Sequence, residues 1–383
     1  MRRPSTTGRT NVKLSLHRRV GAVALTGALA ISLAACGSDN ATGDAATAGT
    51  DTAAASDLSG DLNAAGSSAQ ESAMEAWRAG FQATNPSVNV NYDPVGSGGG
   101  RTQFLEGGVQ FAGSDAALSD EEIETSKETC VGGQAINLPT YISPIAVVFN
   151  LEGVKELNLS PAVIAGIFDQ KITNWNAAEI AADNPGVTLP DLAISPVNRS
   201  DDSGTTKNFT DYLASTAPDA WPYKADGVFP VAGGQSAQGT SGVIQTVQGG
   251  NGTITYADSS KVGELGTAKI KVGDAWVGHS PEGAAIAVDA SPRVEGRIPT
   301  DIAIKIDRNT TEADAYPLVL TTYEIACTVY ADANDAALVK AFLSYVVSDE
   351  GQTASASAAG SAPISAELAA EVQAAIDTIK AAA

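Results

Sequence analysis

The sequence is short of the residues that most hydrolytic and metal-dependent enzymes rely on. Its 383 residues include two histidines and three cysteines. His17 falls in a basic segment at the start, so His279 is the one histidine in the rest of the chain. That argues against histidine-based acid–base catalysis. There is no Cys-x-x-Cys pair and no Cys/His cluster, which argues against a structural zinc site. Basic residues are also scarce, 23 Lys and Arg against 44 Asp and Glu. Six of the basic residues (Arg2, Arg3, Arg9, Lys13, Arg18 and Arg19) precede Cys36, and every acidic residue follows it. The remainder therefore carries 17 basic and 44 acidic residues, a formal charge of −27. A surface of that sign repels nucleic acid and anionic membranes. Any anion site must be local, built from donors aimed at one point.

What is present at the amino terminus is an export signal. The basic stretch gives way to an uncharged apolar run from Val20 to Ala35, too short to span a bilayer, which ends in small residues. Leu33-Ala34-Ala35-Cys36 resembles the lipobox of bacterial lipoproteins, which implies cleavage of residues 1–35 and a lipid on Cys36. Residues 36–56 are small, polar and without period, as expected of a flexible tether. The folded part is expected from about Asp57. Its length suggests two domains. In an exported chain its two cysteines, Cys130 and Cys327, either pair or stand as separate buried thiols, and the oxidising compartment favours pairing.

From Asp57 the pattern is strand, small-residue turn, helix, repeated. Leu58, Leu62 and Ala64 suggest a strand running into Gly66-Ser67-Ser68-Ala69, and Met74, Trp77 and Phe81 mark one helix face before Asn85-Pro86. Val88, Val90 and Tyr92 alternate as a strand before Gly96-Ser97-Gly98-Gly99-Gly100-Arg101, read as a turn with a short helix from Phe104. That turn lacks the Gly-Lys-Ser/Thr ending of a phosphate-binding P-loop and the last glycine of a dinucleotide fingerprint. Val109 to Gly113 is a third strand with Ser114-Asp115 at its carboxyl end, where α/β sheets place ligands. Ser119 with Glu122 forms a capping box. Two apolar runs, Ala135–Leu138 and Ile145–Phe149, are separated by Pro139 and Pro144, as if the chain passed between domains there. The densest donor set is Arg199-Ser200-Asp201-Asp202-Ser203-Gly204-Thr205. Ser203 is placed to cap a helix whose first amides, on Gly204 and Thr205, point outward, with Arg199 as a two-pronged donor beside them. Taken singly, each of these turns is equally well explained as an ordinary helix cap.

Taken in order, Gly66-Ser67-Ser68, Gly96-Ser97-Gly98-Gly99, Ser114-Asp115-Ala116-Ala117-Leu118-Ser119-Asp120 and Arg199-Ser200-Asp201-Asp202-Ser203-Gly204-Thr205 resemble the substrate-binding protein of the high-affinity phosphate ABC transporter. Lys171-Ile172-Thr173-Asn174-Trp175-Asn176, Asn184 to Pro190, Gly252 to Tyr256 and Tyr316-Pro317-Leu318 support the resemblance, which covers essentially all of residues 57–383. It implies an α/β, two-lobed periplasmic-binding-protein fold of type II. Lobe one would hold residues 57–141 and 318–383, and lobe two residues 142–317. Two crossovers near Pro139–Ser143 and Tyr316–Leu320 would join them, with the ligand cleft between. Both folded-part cysteines fall in lobe one, which supports a disulfide. Carried over position by position, the phosphate ligands fall on Ser68, the Ala69 backbone, Ser97, Asp115, Arg199, Ser203, Gly204 and Thr205, with Asp201 orienting Arg199. Two positions depart from the family: Ala69-Gln70-Glu71 replaces a run containing an aromatic, and Asp202 replaces a glycine before Ser203.

The function implied is a lipid-anchored, monomeric solute-binding protein that delivers inorganic phosphate to a membrane-embedded ABC permease. It would be neither an enzyme nor a cofactor user, and would touch the membrane through its amino-terminal lipid. A binding protein for another tetrahedral oxyanion, or an anchored phosphate sensor, are the alternatives. Asp115 carries the chemical expectation: as an acceptor it welcomes a protonated oxyanion and repels sulfate.

Overall fold

The computed structural model describes residues 58–383. The signal, Cys36 and the tether lie outside the described residues. In chain order the elements begin β1 (Gly60–Gly66), α1 (Glu71–Thr84), β2 (Val88–Asp93), α2 (Ser97–Leu105), β3 (Phe111–Ser114), α3 (Asp120–Thr129) and β4 (Ala135–Asn150). They continue with β5 (Glu156–Leu159), α4 (Pro161–Phe168), α5 (Ala178–Asp183), β6 (Ser195–Arg199), α6 (Gly204–Thr216), β7 (Gln235–Ala237), α7 (Gly239–Gln248) and β8 (Thr253–Asp258). The rest is β9 (Gly266–Val272), β10 (Ala275–Val277), α8 (Pro281–Asp289), β11 (Val319–Cys327), β12 (Val329–Tyr330), α9 (Ala333–Val347), α10 (Asp349–Ala359), α11 (Ala366–Asp377) and β13 (Lys380–Ala381).

One curled sheet runs in the order β2-β1-β3-β11-β4-β8-β6-β7, with β9 also paired to β4 and carrying β5 and β10. β1 is parallel to both β2 and β3, and β6 is parallel to both β7 and β8. Between these two parallel groups stand β11 and β4, antiparallel to each other and to their outer neighbours. β4 is the longest strand: Ala135–Pro144 pairs with β11, and Ile145–Asn150 pairs with β8. The two apolar runs expected to flank a domain passage are thus one strand, buried throughout except at its last residue. The register shift opposite Thr322 and Tyr323 leaves Thr140 of β4 unpaired beside Pro139, and Pro144 sits where β4 changes partner from β11 to β8.

Cap chemistry sets several helix starts. Ser119 and Glu122 form the reciprocal capping box, and Ser203 Oγ accepts the Thr206 amide at 3.2 Å. The glycine run departs from expectation, because helix α2 starts at Ser97 and includes Gly98, Gly99 and Gly100, while Phe104 and Leu105 end it. Glycine is a poor helix former, so the reason lies in packing. A Cβ on Gly98 would fall 2.3 Å from Asp202 Cγ, and one on Gly100 would fall 2.4 Å from Gly66 Cα. The helix is pressed against the Asp202 side chain at Gly98 and against the β1 backbone at Gly100, which leave no room for side chains there. Strands β5, β9 and β10 and helix α10 had no clear sequence signal. Cys130 at the end of α3 and Cys327 at the end of β11 form a disulfide with Cα atoms 5.2 Å apart.

Candidate functional site

Because β1, β2 and β3 run parallel, their carboxyl ends lie together, and each is followed by a small polar turn. Parallel strand β6 brings Arg199 to its own carboxyl end in the same way. The helices that follow, α1, α2 and α6, present their amino termini, with unsatisfied amides and the positive end of the dipole. A fourth, α7, joins them through Gly239 and Thr240, which sequence reasoning missed. Thr240 donates its amide to Ser68 Oγ at 3.0 Å, and the two hydroxyls lie 3.2 Å apart.

Asp115 is at the centre, 3% exposed. Its Oδ2 accepts from Thr205 Oγ1 at 3.0 Å and its Oδ1 from Thr322 Oγ1 at 2.9 Å. Its amide donates to Ser97 Oγ at 3.1 Å, and its carbonyl accepts from Asn208 Nδ2 at 2.6 Å. Burial raises its carboxyl pKa above the usual value, while hydrogen bonds from Ser67, Thr322 and Thr205 and the charge of Arg199 oppose the rise. Gly204 lies so close that a Cβ on it would fall 2.5 Å from Ser97 Oγ and 2.6 Å from Asp115 Cβ.

Arg199, 5% exposed, donates Nε to Asp201 Oδ1 at 2.8 Å and Nη2 to Asp201 Oδ2. Burial works to raise the Asp201 pKa, but these bonds, the arginine charge and the Gly239 amide at 3.1 Å hold it below the ordinary value. The fork is thereby fixed on one edge, which leaves its other edge available to a ligand.

The expected residues Ser68, Ala69, Ser97, Asp115, Arg199, Ser203, Gly204 and Thr205 are therefore brought to one buried cluster, with Asp201 behind Arg199. The Ala69 amide is donated to Ser67 Oγ at 3.0 Å. Asp202, the doubtful neighbour, has a half-exposed side chain with Oδ2 3.6 Å from the Arg101 guanidinium, and its carbonyl accepts the Gly98 amide at 3.0 Å. Its charge is answered at the rim of the cluster. Thr322, Asn208 and Thr240 were not read from the sequence. Thr322 reaches the site from strand β11 and Thr240 from α7, while Asn208 lies one turn along α6 from Gly204, whose carbonyl it also bonds at 2.9 Å. Asn208 is held in turn by Arg308, which also bonds Asp211 at 2.9 Å and the Val319 carbonyl at 2.7 Å. Among the described residues no group of His, Cys, Asp and Glu is arranged to hold a metal ion.

The cluster sets an acceptor-only carboxylate near a buried arginine, among hydroxyls and helix amino termini. Known proteins supply the family. The family described as "PBP superfamily domain" matches residues 40–350. "Phosphate-binding protein PstS3" of Mycobacterium bovis (strain BCG / Pasteur 1173P2) is 37% identical over 343 residues, which span 86% of this chain and 90% of the relative. The chain belongs to the PstS family of phosphate-binding proteins. "Phosphate-binding protein PstS 2" of Mycobacterium tuberculosis (strain ATCC 25618 / H37Rv) is 34% identical over 341 residues, 86% of this chain and 90% of the relative. The family is one of solute-binding proteins, not of enzymes. Among solved structures, a periplasmic phosphate-binding protein (PfluDING) bound with phosphate superposes with a TM-score of 0.67 at 22% identity, covering 82% of this chain and 93% of that one. A putative phosphate ABC transporter substrate-binding protein with bound phosphate from Clostridium perfringens gives 0.57 at 20% identity, covering 78% and 98%. These likenesses establish the two-lobed type II periplasmic-binding-protein fold.

Proposed function

We propose that this chain captures inorganic phosphate, in a protonated form, and hands it to a membrane-embedded ABC permease. The observation that carries the reading is buried Asp115, an acceptor at the centre of a site otherwise made of donors. Ser68, Ser97, Ser203, the amides of Gly204 and Thr205, and the free edge of Arg199 would hold the ligand oxygens; the Ala69 amide would exchange Ser67 Oγ for the ligand, and the Thr205 hydroxyl would stay on Asp115. Each Asp115 oxygen already takes one threonine hydroxyl, and one lone pair on either would remain for a ligand O–H. Hydrogenphosphate and dihydrogenphosphate supply that proton; sulfate does not, and would face the carboxylate unpaired. Arsenate, protonated like phosphate, would be poorly rejected.

The lobes would be residues 57–141 with 318–383, and residues 142–317, closing by a hinge at the crossovers on β4 and at the start of β11. Residues 1–35 would be removed on export and Cys36 lipidated, holding a monomer on the outer face of the cell membrane. The Mycobacterium relatives' names support the phosphate reading, and no helix among the described residues is long and apolar enough to cross a membrane. Calorimetric titration with phosphate, arsenate and sulfate tests the reading. Saturable binding of the first two with no heat from sulfate is expected; sulfate binding as tight as phosphate would overturn it.

A further inference from the structure

Under the Ser67–Ala69 turn lies a buried polar layer that plays no direct part in the site. Gln70 is fully buried, and its Nε2 donates to Tyr92 Oη at 3.1 Å. Tyr92 Oη donates onward to the Ser67 carbonyl at 2.9 Å, so amide, phenol and turn backbone form one chain. Both side chains rest on Gly113 of β3, where a Cβ would fall 2.0 Å from Gln70 Nε2 and 2.6 Å from Tyr92 Oη. Paired with Gly113 across the ladder is Glu324 of β11, also fully buried.

Three atoms in this layer lack partners among the described residues: Glu324 Oε1, Glu324 Oε2 and Gln70 Oε1. Glu324 is in no ion pair with a basic side chain, and its β4 partner is the apolar Leu138. An ionised carboxylate here would be a buried charge with nothing to answer it, the costliest state a side chain can hold. A carboxylic acid, in contrast, has one O–H to give, and Gln70 Oε1 is an acceptor with no donor. One proton on Glu324 pairs two of these three atoms, its own O–H oxygen and Gln70 Oε1, and removes the charge from the remaining carboxyl oxygen.

We propose that Glu324 is a neutral carboxylic acid that donates to Gln70 Oε1, and that this acid–amide–phenol chain positions the Ser67–Ala69 turn for anion binding. The assignment rests on that turn being part of the phosphate site. Burial pushes the Glu324 carboxyl up to about 8; the Gln70 amide opposes the rise and the charge of Asp115 adds to it. Tyr92, the other titratable group on this layer, has its phenol pushed well above the usual range, first by burial and then, once Glu324 ionises, by that charge, with smaller contributions from Asp115 and Glu71. Every charged group acting on Glu324 here is therefore an acid. Ionising it would remove the donor to Gln70 and set a second negative charge behind Asp115, opposing an anionic ligand. Glu324 is thus a positioning residue. Gln70, whose Oε1 can only accept, is what makes a neutral acid useful here.

The test is the phosphate Kd of the purified chain and of Glu324→Gln across pH 6 to 9. The variant keeps an N–H donor for Gln70 and cannot ionise, and the ratio of the two constants cancels phosphate's own ionisation. If the competent state requires a proton on Glu324, wild-type binding weakens relative to the variant by about tenfold between pH 7 and pH 9. A ratio that stays constant over that range overturns the proposal. Infrared spectroscopy of the ligand-free wild type supplies a readout that does not depend on the variant folding. A protonated-carboxyl carbonyl band that titrates away near pH 8 is expected, and its absence at pH 6 overturns the assignment. A chain that shows the band yet binds no phosphate would overturn the functional reading while leaving the neutral acid supported.

Discussion

Asp115 Oδ1 takes the Thr322 hydroxyl and Oδ2 the Thr205 hydroxyl, and these two bonds counter the burial that raises its pKa. Thr322→Val removes one charge-stabilising donor while keeping the side chain's volume. Losing that donor leaves burial less opposed, so the Asp115 carboxyl pKa should rise further. Phosphate affinity near neutrality should change little. The acid-side fall in affinity, where Asp115 gains its own proton and stops accepting, should move to higher pH. Isothermal titration from pH 4 to 8 would show it; an unmoved acid limb would mean that Thr322 does not hold the carboxylate charge. Thr322 could not have been picked from the sequence. It lies 207 positions from Asp115 in a strand buried along its whole length, and only the register of β11 against β3 and β4 brings them together.

At the scale of elements, the site is a meeting of helix amino termini, and how tightly they meet depends on missing side chains. Gly98 of α2 lies against Asp202 at the start of α6, donating its amide to the Asp202 carbonyl at 3.0 Å. A methyl group at Gly98 would meet Asp202 Cγ at 2.3 Å and Cβ at 2.5 Å. Gly98→Ala should therefore prise α2 from the α6 turn at about 1–3 kcal/mol, seen as a weaker phosphate Kd with circular dichroism unchanged. An unaltered Kd would show that the two helices need not touch for binding. The same contact explains why α2 was hard to read. Where helix boundaries are set by local chemistry, as at Ser119 with Glu122 or at Ser203, the sequence displays them. Where helicity is imposed by close approach of another backbone, three consecutive glycines look like a loop. Likewise the two prolines in β4 suggested a break, because the unpaired Thr140 beside Pro139 and the change of partner strand after Pro144 are set by tertiary pairing.

Across the whole molecule, burial raises the pKa of Asp115 and, furthest, of two other buried acids, Glu324 to about 8 and Asp258 to about 6, against ordinary values of 4.5 and 3.8. A folded-state pKa above the unfolded one means that the native state holds more protons between the two values, so stability falls as pH rises through that window. The stabilising contribution is complete below about pH 4 and is lost by about pH 8. The large negative charge works in the same direction. The urea midpoint should thus be higher at pH 5.5 than at pH 8.5, and Glu324→Gln should flatten the upper part of the decline. A midpoint that rises with pH would contradict both assignments. On this scale much was legible: an acidic chain of repeated strand–turn–helix units, and an ordered set of turns that pointed to the family. The pairing of Cys130 with Cys327, left open by composition, is present.

The central claim is that donors grip any tetrahedral oxyanion while Asp115 admits the protonated one. Calorimetric titration of Asp115→Asn with sulfate tests it most directly, because the amide keeps the shape of the carboxylate but offers an N–H where the wild type repels. The account predicts measurable sulfate binding by the variant, none by the wild type, and weakened but retained phosphate binding. A variant that still excludes sulfate while binding phosphate would contradict it.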